Sequence, residues 1–110
     1  MSSRRARRYD AAPIFAALGD RTRLALVTKL SDGQSRSIAQ LCADTEITRQ
    51  AVTKHLRVLE DAGLVRSTRA GRESQFELRP ESIVQMREYL DEVSRQWDDA
   101  LARLRAFVER

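Results

Sequence analysis

Residues 48–65 read TRQAVTKHLRVLEDAGLV and carry the strongest periodic pattern of the 110-residue chain. Apolar or weakly polar residues recur there at three- and four-residue steps, which places them on one face of a helix: Val52, His55, Leu56, Leu59 and Ala62. Thr48 can cap the N-terminus of this helix, and Gly63 stands where helices commonly end in a left-handed residue. The stretch therefore predicts a helix between Thr48 and Gly63.

The opposite face of this helix is polar and cationic: Arg49, Gln50, Thr53, Lys54 and Arg57. A short helix with such a face fits the DNA major groove, which is roughly 12 Å wide and is read by hydrogen-bonding side chains. Gln50 can pair with adenine, Arg49 or Lys54 with guanine or phosphate, and Arg57 with the backbone. Thr48 completes the predicted set, because the free N–H groups of a helix start can meet a phosphate. The alternative is an ordinary solvated helix face.

Positive charge is concentrated near this helix and at the N-terminus. Residues 1–8 hold four arginines and no acid, which equals the whole net charge of +4. Residues 45–79 hold seven bases against five acids, whereas residues 81–110 hold five bases against seven acids. This asymmetry favours an anionic partner for the middle of the chain. We expect residues 1–9 to form a flexible basic arm, either solvated or touching DNA, and residues 10–110 to form one domain.

Size and composition exclude several classes of protein. No apolar run is long enough to span a membrane, and no apolar segment follows the N-terminal arginines as in a signal peptide. One cysteine excludes an internal disulfide and favours a cytoplasmic location. With one histidine, no nucleophile–base arrangement and no glycine-rich phosphate loop, we expect neither an enzyme nor a cofactor.

Three short helices are predicted before residue 48. The first covers 10–18, the second follows Asp20 as a cap, and the third covers 37–43 with Ser35 or Ser37 as its cap. A short helix, a tight turn and the helix of residues 48–62 form a helix-turn-helix, in which the second helix enters the groove. Beyond Gly63, two β-compatible segments around Gly71 predict a two-stranded hairpin with Arg69 and Arg72 near its tip. A basic hairpin after a recognition helix is the wing of a winged helix.

The last segment predicts a long helix that begins at Pro80. Its apolar residues repeat every seven positions in two series offset by three, which is the seam of a coiled coil. A helix of roughly 40 Å cannot bury that stripe on a small domain, so we expect a two-fold homodimer, with the first helix adding to the interface. The predicted dimer residues are Ile14, Phe15, Ile83, Met86, Leu90, Val93, Trp97, Leu101, Leu104 and Phe107. The expected fold class is mainly α with a small β-hairpin, as five helices plus a wing.

From residue 14 to residue 110 the chain resembles the ArsR/SmtB family of bacterial winged helix-turn-helix regulators. FAALGDRTRLALVTKL is similar to the "LADPTR" start of that family, with Arg21 in place of the usual proline. Within SIAQLCADTEITRQAVTKHLRVLEDAGLVRSTRAGRESQFEL lies the family signature "SxVSxHLxxLxxAGLV". The resemblance implies a homodimeric repressor that occludes a promoter by binding a palindromic double-stranded DNA operator.

The same resemblance implies a branch of the family without the usual metal sites. Metal-responsive members often carry "ELCVCD" on the third helix, where this chain has QLCADT, so that Cys42 remains and Asp44 replaces the second cysteine. Other members use Asp and His on the last helix, which here holds Asp91, Asp98 and Asp99 but no histidine. We therefore expect no metal, and the resemblance names no inducer.

Three residues leave alternatives open. His55 is expected to pack or to touch a phosphate, since zinc usually requires three or four protein ligands. Cys42 is expected to pack in a small inward slot, with a redox-sensing thiol as the alternative. Trp97 is expected in the dimer seam, with a small-molecule pocket as the alternative. For the whole chain, the alternatives to a repressor of this type are a winged-helix protein–protein interaction module without DNA binding and a metal- or redox-responsive repressor.

Overall fold

The structure is a computed structural model that describes residues 11–110; the basic arm predicted over residues 1–9 lies outside the described residues. Along the described chain the helices are α1 (Ala12–Leu18), α2 (Arg21–Lys29), α3 (Ile38–Cys42), α4 (Arg49–Asp61) and α5 (Pro80–Val108). The strands are β1 (Arg36–Ser37), β2 (Val65–Ala70) and β3 (Glu73–Leu78). This order is a winged helix-turn-helix, which confirms the predicted fold class.

Helix α4 begins and ends at the predicted residues for identifiable reasons. The Thr48 hydroxyl oxygen accepts a hydrogen bond from the Ala51 amide at 3.1 Å, which satisfies one of the free donors of the first turn. At the other end, Gly63 has a φ of +85°, and the Leu64 amide donates to the Leu59 carbonyl at 2.9 Å. These are the features of a Schellman ending, which needs a left-handed residue after the helix.

Side-chain caps also start the two preceding helices. Asp20 accepts a hydrogen bond from the Arg23 amide at 3.0 Å and thereby caps α2. Ser37 is the cap of α3, where its hydroxyl accepts from the Gln40 amide and its own amide donates to the Gln40 side chain. This reciprocal capping box stabilises a helix that has only five residues.

The wing contains one strand more than the predicted hairpin. The antiparallel sheet has the order β1-β3-β2, with Arg36 opposite Phe76 and Val65 opposite Leu78. The two-stranded prediction was therefore incomplete: β1 is two residues long, too short for an alternating pattern, and it forms only because β3 lies beside it. Gly71, with a φ of +67°, makes the tight turn between β2 and β3.

The core lies between the first four helices and the base of the wing. Its fully buried side chains lie on α3, α4 and β2, directly after α2 and directly before β2: Leu30, Leu41, Val52, Leu56, Leu59, Leu64 and Val65. Burying one leucine of this kind contributes about 1.5–3 kcal/mol. Because α4 supplies three of the seven, its orientation is fixed by the core of the domain.

Helix α5 leaves the domain at the junction between α4 and β2. The Ser82 hydroxyl donates to the Gly63 carbonyl, and the Arg79 amide donates to the Leu64 carbonyl at 2.9 Å. Beyond this anchor the helix continues to Val108, and Ser82 is the one buried residue among its 29. Within the described part of the chain, no helix has the length and apolar character needed to cross a membrane.

Candidate DNA-binding surface

Helix α4 presents two faces of different chemistry. Val52, Leu56 and Leu59 are fully buried, whereas Arg49, Gln50, Lys54 and Arg57 are exposed and Thr53 is partly buried. The exposed set occupies the first two turns and part of the third. A helix with exposed hydrogen-bonding side chains in its first turns has the chemistry that base edges in a major groove require.

The cations of this surface have no acidic partners. Arg49, Lys54, Arg57, Arg69 and Arg72 form no ion pair with any residue that the structure describes. Other arginines nearby do have acidic partners: Arg36 pairs with Asp32, Arg66 with Glu77, and Arg79 with Glu81. Charge that is not neutralised within the chain remains available to phosphates, whose contacts dominate the affinity of proteins for DNA.

Arg49 and Arg72 line one shallow cleft, although they lie far apart in the sequence. Its other walls include Ser37 and Ile38 at the start of α3 and Ser74 on β3. The cleft thus joins the recognition helix, the helix before it and the turn of the wing. Glu73 also lines the cleft, but the two guanidinium groups outnumber its single carboxylate, so the cleft still favours one backbone phosphate. Neither α3 nor Ser74 was part of the predicted site, because spacing along the chain does not reveal this contact.

Thr53 uses its hydroxyl inside α4. Its Oγ1 donates a hydrogen bond to the Arg49 carbonyl oxygen at a distance of 2.7 Å. Threonines on helices commonly bond to the carbonyl four residues earlier in this way. The hydroxyl hydrogen of Thr53 is therefore already engaged before any partner binds.

An ion pair holds the segment that leads into α4. Lys29 Nζ lies 2.5 Å from Asp44 Oδ1 and also donates to the Leu41 carbonyl at 3.0 Å. The Lys29 hydrogen bond lowers the pKa of Asp44 below its usual value of 3.8. Asp44 stands where the metal-binding motif has its second cysteine. Because of the ion pair with Lys29, its carboxylate already has a cation beside it. Cys42 is partly buried and packs against the core.

Comparison with known proteins agrees with this geometry. Residues 20–67 match the arsR family of bacterial regulatory proteins. Over 65 residues, 54% of this chain and 71% of the other, it is 48% identical to the uncharacterised HTH-type transcriptional regulator YuzN of Bacillus subtilis. It is 38% identical to the HTH-type transcriptional regulator Rv2034 of Mycobacterium tuberculosis over 79% of this chain and 78% of that protein.

Comparison with solved structures also agrees with this geometry. An ArsR-like transcriptional regulator from Rhodococcus sp. RHA1 superposes with a TM-score of 0.71 at 34% identity, over 84% of this chain and 87% of that one. The chain belongs to the ArsR family. It is a DNA-binding transcription regulator and not an enzyme.

His55, which lies within the matched ArsR segment, faces α2 and not the open side of α4. Its Nδ1 lies 3.3 Å from Arg23 Nη1 and 3.9 Å from Asp20 Oδ1. Arg23 in turn donates through Nε to the Ala17 carbonyl at 2.6 Å. The ring therefore sits in a polar contact between α4 and the α1–α2 junction. Across residues 11–110 the structure contains no group of three or more His, Cys, Asp or Glu residues placed to hold a metal ion.

The α5 residues of the predicted dimer surface are largely uncovered in the single ArsR chain. Five of them are more than half exposed: Leu90, Trp97, Leu101, Leu104 and Phe107. Trp97, at 64%, is the most exposed of the five. Ile83 is exposed to a smaller extent, Val93 is partly buried, and Met86 is partly buried against the core. The apolar stripe thus begins at the domain and continues along the free part of the helix.

Of the two α1 residues predicted at the dimer interface, Ile14 and Phe15, the first is buried within the chain. Ile14 is only 6% exposed and belongs to the core of the chain itself, so it offers almost no surface to a partner. Helical spacing placed Ile14 and Phe15 together, but adjacent residues on a helix point about 100° apart. Phe15 is partly buried, and its ring centroid lies 5.5 Å from that of Tyr89 on α5. Tyr89 was absent from the predicted set.

Proposed function

We propose that the protein acts as a homodimer that binds a palindromic DNA operator and represses transcription by occluding the promoter. Each protomer inserts α4 into a major groove, and the two grooves lie one helical turn apart on the same side of the duplex. Operator repression follows from the family resemblance. The observation that carries the DNA-binding part is the exposed face of α4, where hydrogen-bonding side chains stand beside cations without acidic partners.

Residues on that face divide into two groups by their position. Gln50 lies in the first turn and can donate and accept hydrogen bonds with one adenine edge, while Arg49 or Lys54 can contact guanine. Arg57 lies further along α4, and Arg69 and Arg72 lie on the wing, so these three fit phosphates. Thr48 caps α4 by accepting from the Ala51 amide, and the other N–H groups of the first turn can donate to a phosphate.

The cleft between Arg49 and Arg72 supports a phosphate contact that fixes the register of α4. Because it is built from α3, α4 and the wing together, a phosphate bound there connects all three parts of the winged helix. Such a contact carries no sequence information, but it sets where the base-reading side chains fall.

The apolar stripe of α5 supports the homodimer. Apolar side chains from Leu90 to Phe107 form a largely exposed series on a helix of roughly 43 Å. Exposed apolar surface of this extent marks an interface, and a two-fold axis lets the same stripe cover itself. Tyr89 and Phe15 extend the surface toward α1. The dimer then holds two copies of α4 at a constant distance, which a palindromic operator requires.

The test begins with selection of bound duplexes from a random pool. Affinity for the selected duplex is then measured for the variant Arg49→Ala/Gln50→Ala. Losing one base pairing and one cation contact should weaken binding by about 10- to 100-fold.

The matched control is Gln34→Ala/Arg95→Ala, which removes the same two residue types from exposed positions outside the proposed surface. It should bind within about twofold of the unmodified chain. Equal affinity and unchanged sequence preference in the α4 variant would contradict the assignment. Failure to select any duplex would favour the winged-helix protein–protein interaction module.

A further inference from the structure

We propose that Thr53 reads a thymine in each half-site, through its methyl group and not through its hydroxyl. The inference rests on the proposed function and adds the base that this residue specifies. Thr53 lies in the second turn of α4, one turn after Gln50 and beside Lys54. That position places it among the side chains that face base edges when a recognition helix enters a groove.

The hydrogen bond inside α4 decides which part of Thr53 remains for DNA. A threonine hydroxyl has one hydrogen, and here it is donated to the Arg49 carbonyl oxygen at 2.7 Å. Thr53 therefore has no donor for the acceptor atoms of guanine, adenine N7 or thymine O4. The same bond holds the χ1 angle, so that the methyl group keeps a constant direction from Cβ.

Thymine offers the matching group. Its C5-methyl is the apolar feature of the major groove, and threonine methyl groups are among its usual contacts. Gln50, three residues earlier, has the donor and acceptor that adenine requires. Two residues one turn apart therefore both favour A·T pairs. We infer that each half-site contains adjacent or nearly adjacent A·T pairs beneath the first two turns of α4.

The hydroxyl oxygen still has lone pairs, so an adenine or cytosine amino group is the competing target. Two conservative variants separate these possibilities. Thr53→Val keeps the branched shape and the methyl but removes the oxygen, whereas Thr53→Ser keeps the hydroxyl and removes the methyl. Valine, serine and threonine have similar helix propensities, so thermal unfolding of both variants should match that of the unmodified protein.

The experiment measures affinity for the selected duplex and for the same duplex with deoxyuridine in place of thymine, one position at a time. We expect one position in each half-site where deoxyuridine weakens binding about fourfold, the value of one buried methyl group. Thr53→Val should retain this loss. Thr53→Ser should bind the thymine duplex about fourfold more weakly and should not distinguish it from the deoxyuridine duplex.

Three results would overturn the inference. The first is a loss of affinity in Thr53→Val with none in Thr53→Ser, which would assign base reading to the oxygen. The second is equal binding of deoxyuridine and thymine at every position by a chain that still selects a sequence, and this leaves the proposed function intact. The third is the absence of any selected sequence, which would remove the proposed function as well.

Discussion

Helices α4 and α5 have similar apolar periodicity but opposite environments. In α4, with 13 residues, the apolar face is fully covered by the core through Val52, Leu56 and Leu59. In α5, with 29 residues, only Ser82 is buried, and the apolar stripe from Leu90 onward is exposed. Apolar periodicity alone therefore does not show whether the apolar face of a helix is buried within its own chain.

The two helices also differ in how their cationic side chains are paired with acids. Two of the four arginines on α5 have acidic partners next to them on that segment: Arg95 pairs with Glu92, and Arg105 pairs with Glu109 directly after the helix. Cations on α4 have no acidic partner among residues 11–110. Helix α4 therefore carries positive charge without acidic partners, and α5 carries apolar surface that the chain does not bury. The first suits DNA and the second suits another copy of the chain.

The largest effect is expected from charges placed on the α5 stripe. Leu90→Glu/Leu104→Glu would bury four carboxylates in a dimer without partners, so the dissociation constant of the dimer should rise by at least about 10,000-fold. Both leucines are more than half exposed in one chain, so its helix content should remain unchanged. Sedimentation equilibrium measures the dissociation constant, and circular dichroism measures the helix content.

The control for that variant is Ala102→Glu, which places a carboxylate on the exposed opposite side of α5. It should dimerise like the unmodified protein. A dimer that survives the two stripe substitutions would show that α5 does not form the interface.

A substitution on the buried face of α4 should act on the single chain instead. Leu56→Ala removes a fully buried side chain from the core and should lower the free energy of unfolding by about 2–5 kcal/mol. Chemical denaturation of the monomeric Leu90→Glu/Leu104→Glu background measures this loss apart from dimerisation. If Leu56→Ala unfolds with the same midpoint as its background, the core assigned to α4 is wrong.

A smaller effect is expected from one of the cations without an acidic partner. Arg72→Gln removes one phosphate contact per protomer, so the slope of log affinity against log salt should become shallower by about 0.9 per contact. Sequence preference should stay the same, because the contact is with the backbone. Arg95→Gln is the control, since Arg95 is paired within α5. An equal change of slope in both variants would remove the distinction between the two kinds of cation.

The smallest effect concerns a cation that is paired within the chain. Hydrogen bonds from Arg36 and from the Gln34 amide lower the pKa of Asp32 from 3.8 to about 2. Because the pKa is lowered on folding, the ion pair contributes above pH 3.8 and is lost as the pH falls through about 2. Carboxyl chemical shifts measured by NMR should show this midpoint, and Arg36→Gln should return it toward 3.8. A midpoint near 3.8 in the unmodified chain would contradict the pairing.

Local rules were enough to predict α4 and the start of α5. Thr48 and Gly63 mark the ends of α4 by their capping chemistry, and Pro80 begins α5. Properties that depend on distant residues could not be predicted in the same way. Strand β1 exists because Arg36 pairs with Phe76, and the cleft exists because the wing turn brings Arg72 to Arg49.

The side of a short helix that faces its own core is a second limit of sequence reasoning. Ile14 and Phe15 are equally apolar neighbours, yet Ile14 is buried and Phe15 turns toward Tyr89. A third limit of sequence reasoning is the direction in which a single hydroxyl donates its hydrogen bond. The sequence predicted Thr53 on the polar, cationic face of α4, but only the structure shows its hydrogen bond to the Arg49 carbonyl.

The most direct test of the central claim is the spacing of base preferences in duplexes selected from a random pool. If α5 joins two copies of α4 at one distance, the selected sequences will be inverted repeats. Their half-site centres will lie about 10–10.5 base pairs apart, or a multiple of that, with one constant spacing throughout the pool. A single unrepeated element, or half-sites at variable spacing, would contradict a dimer held together by α5.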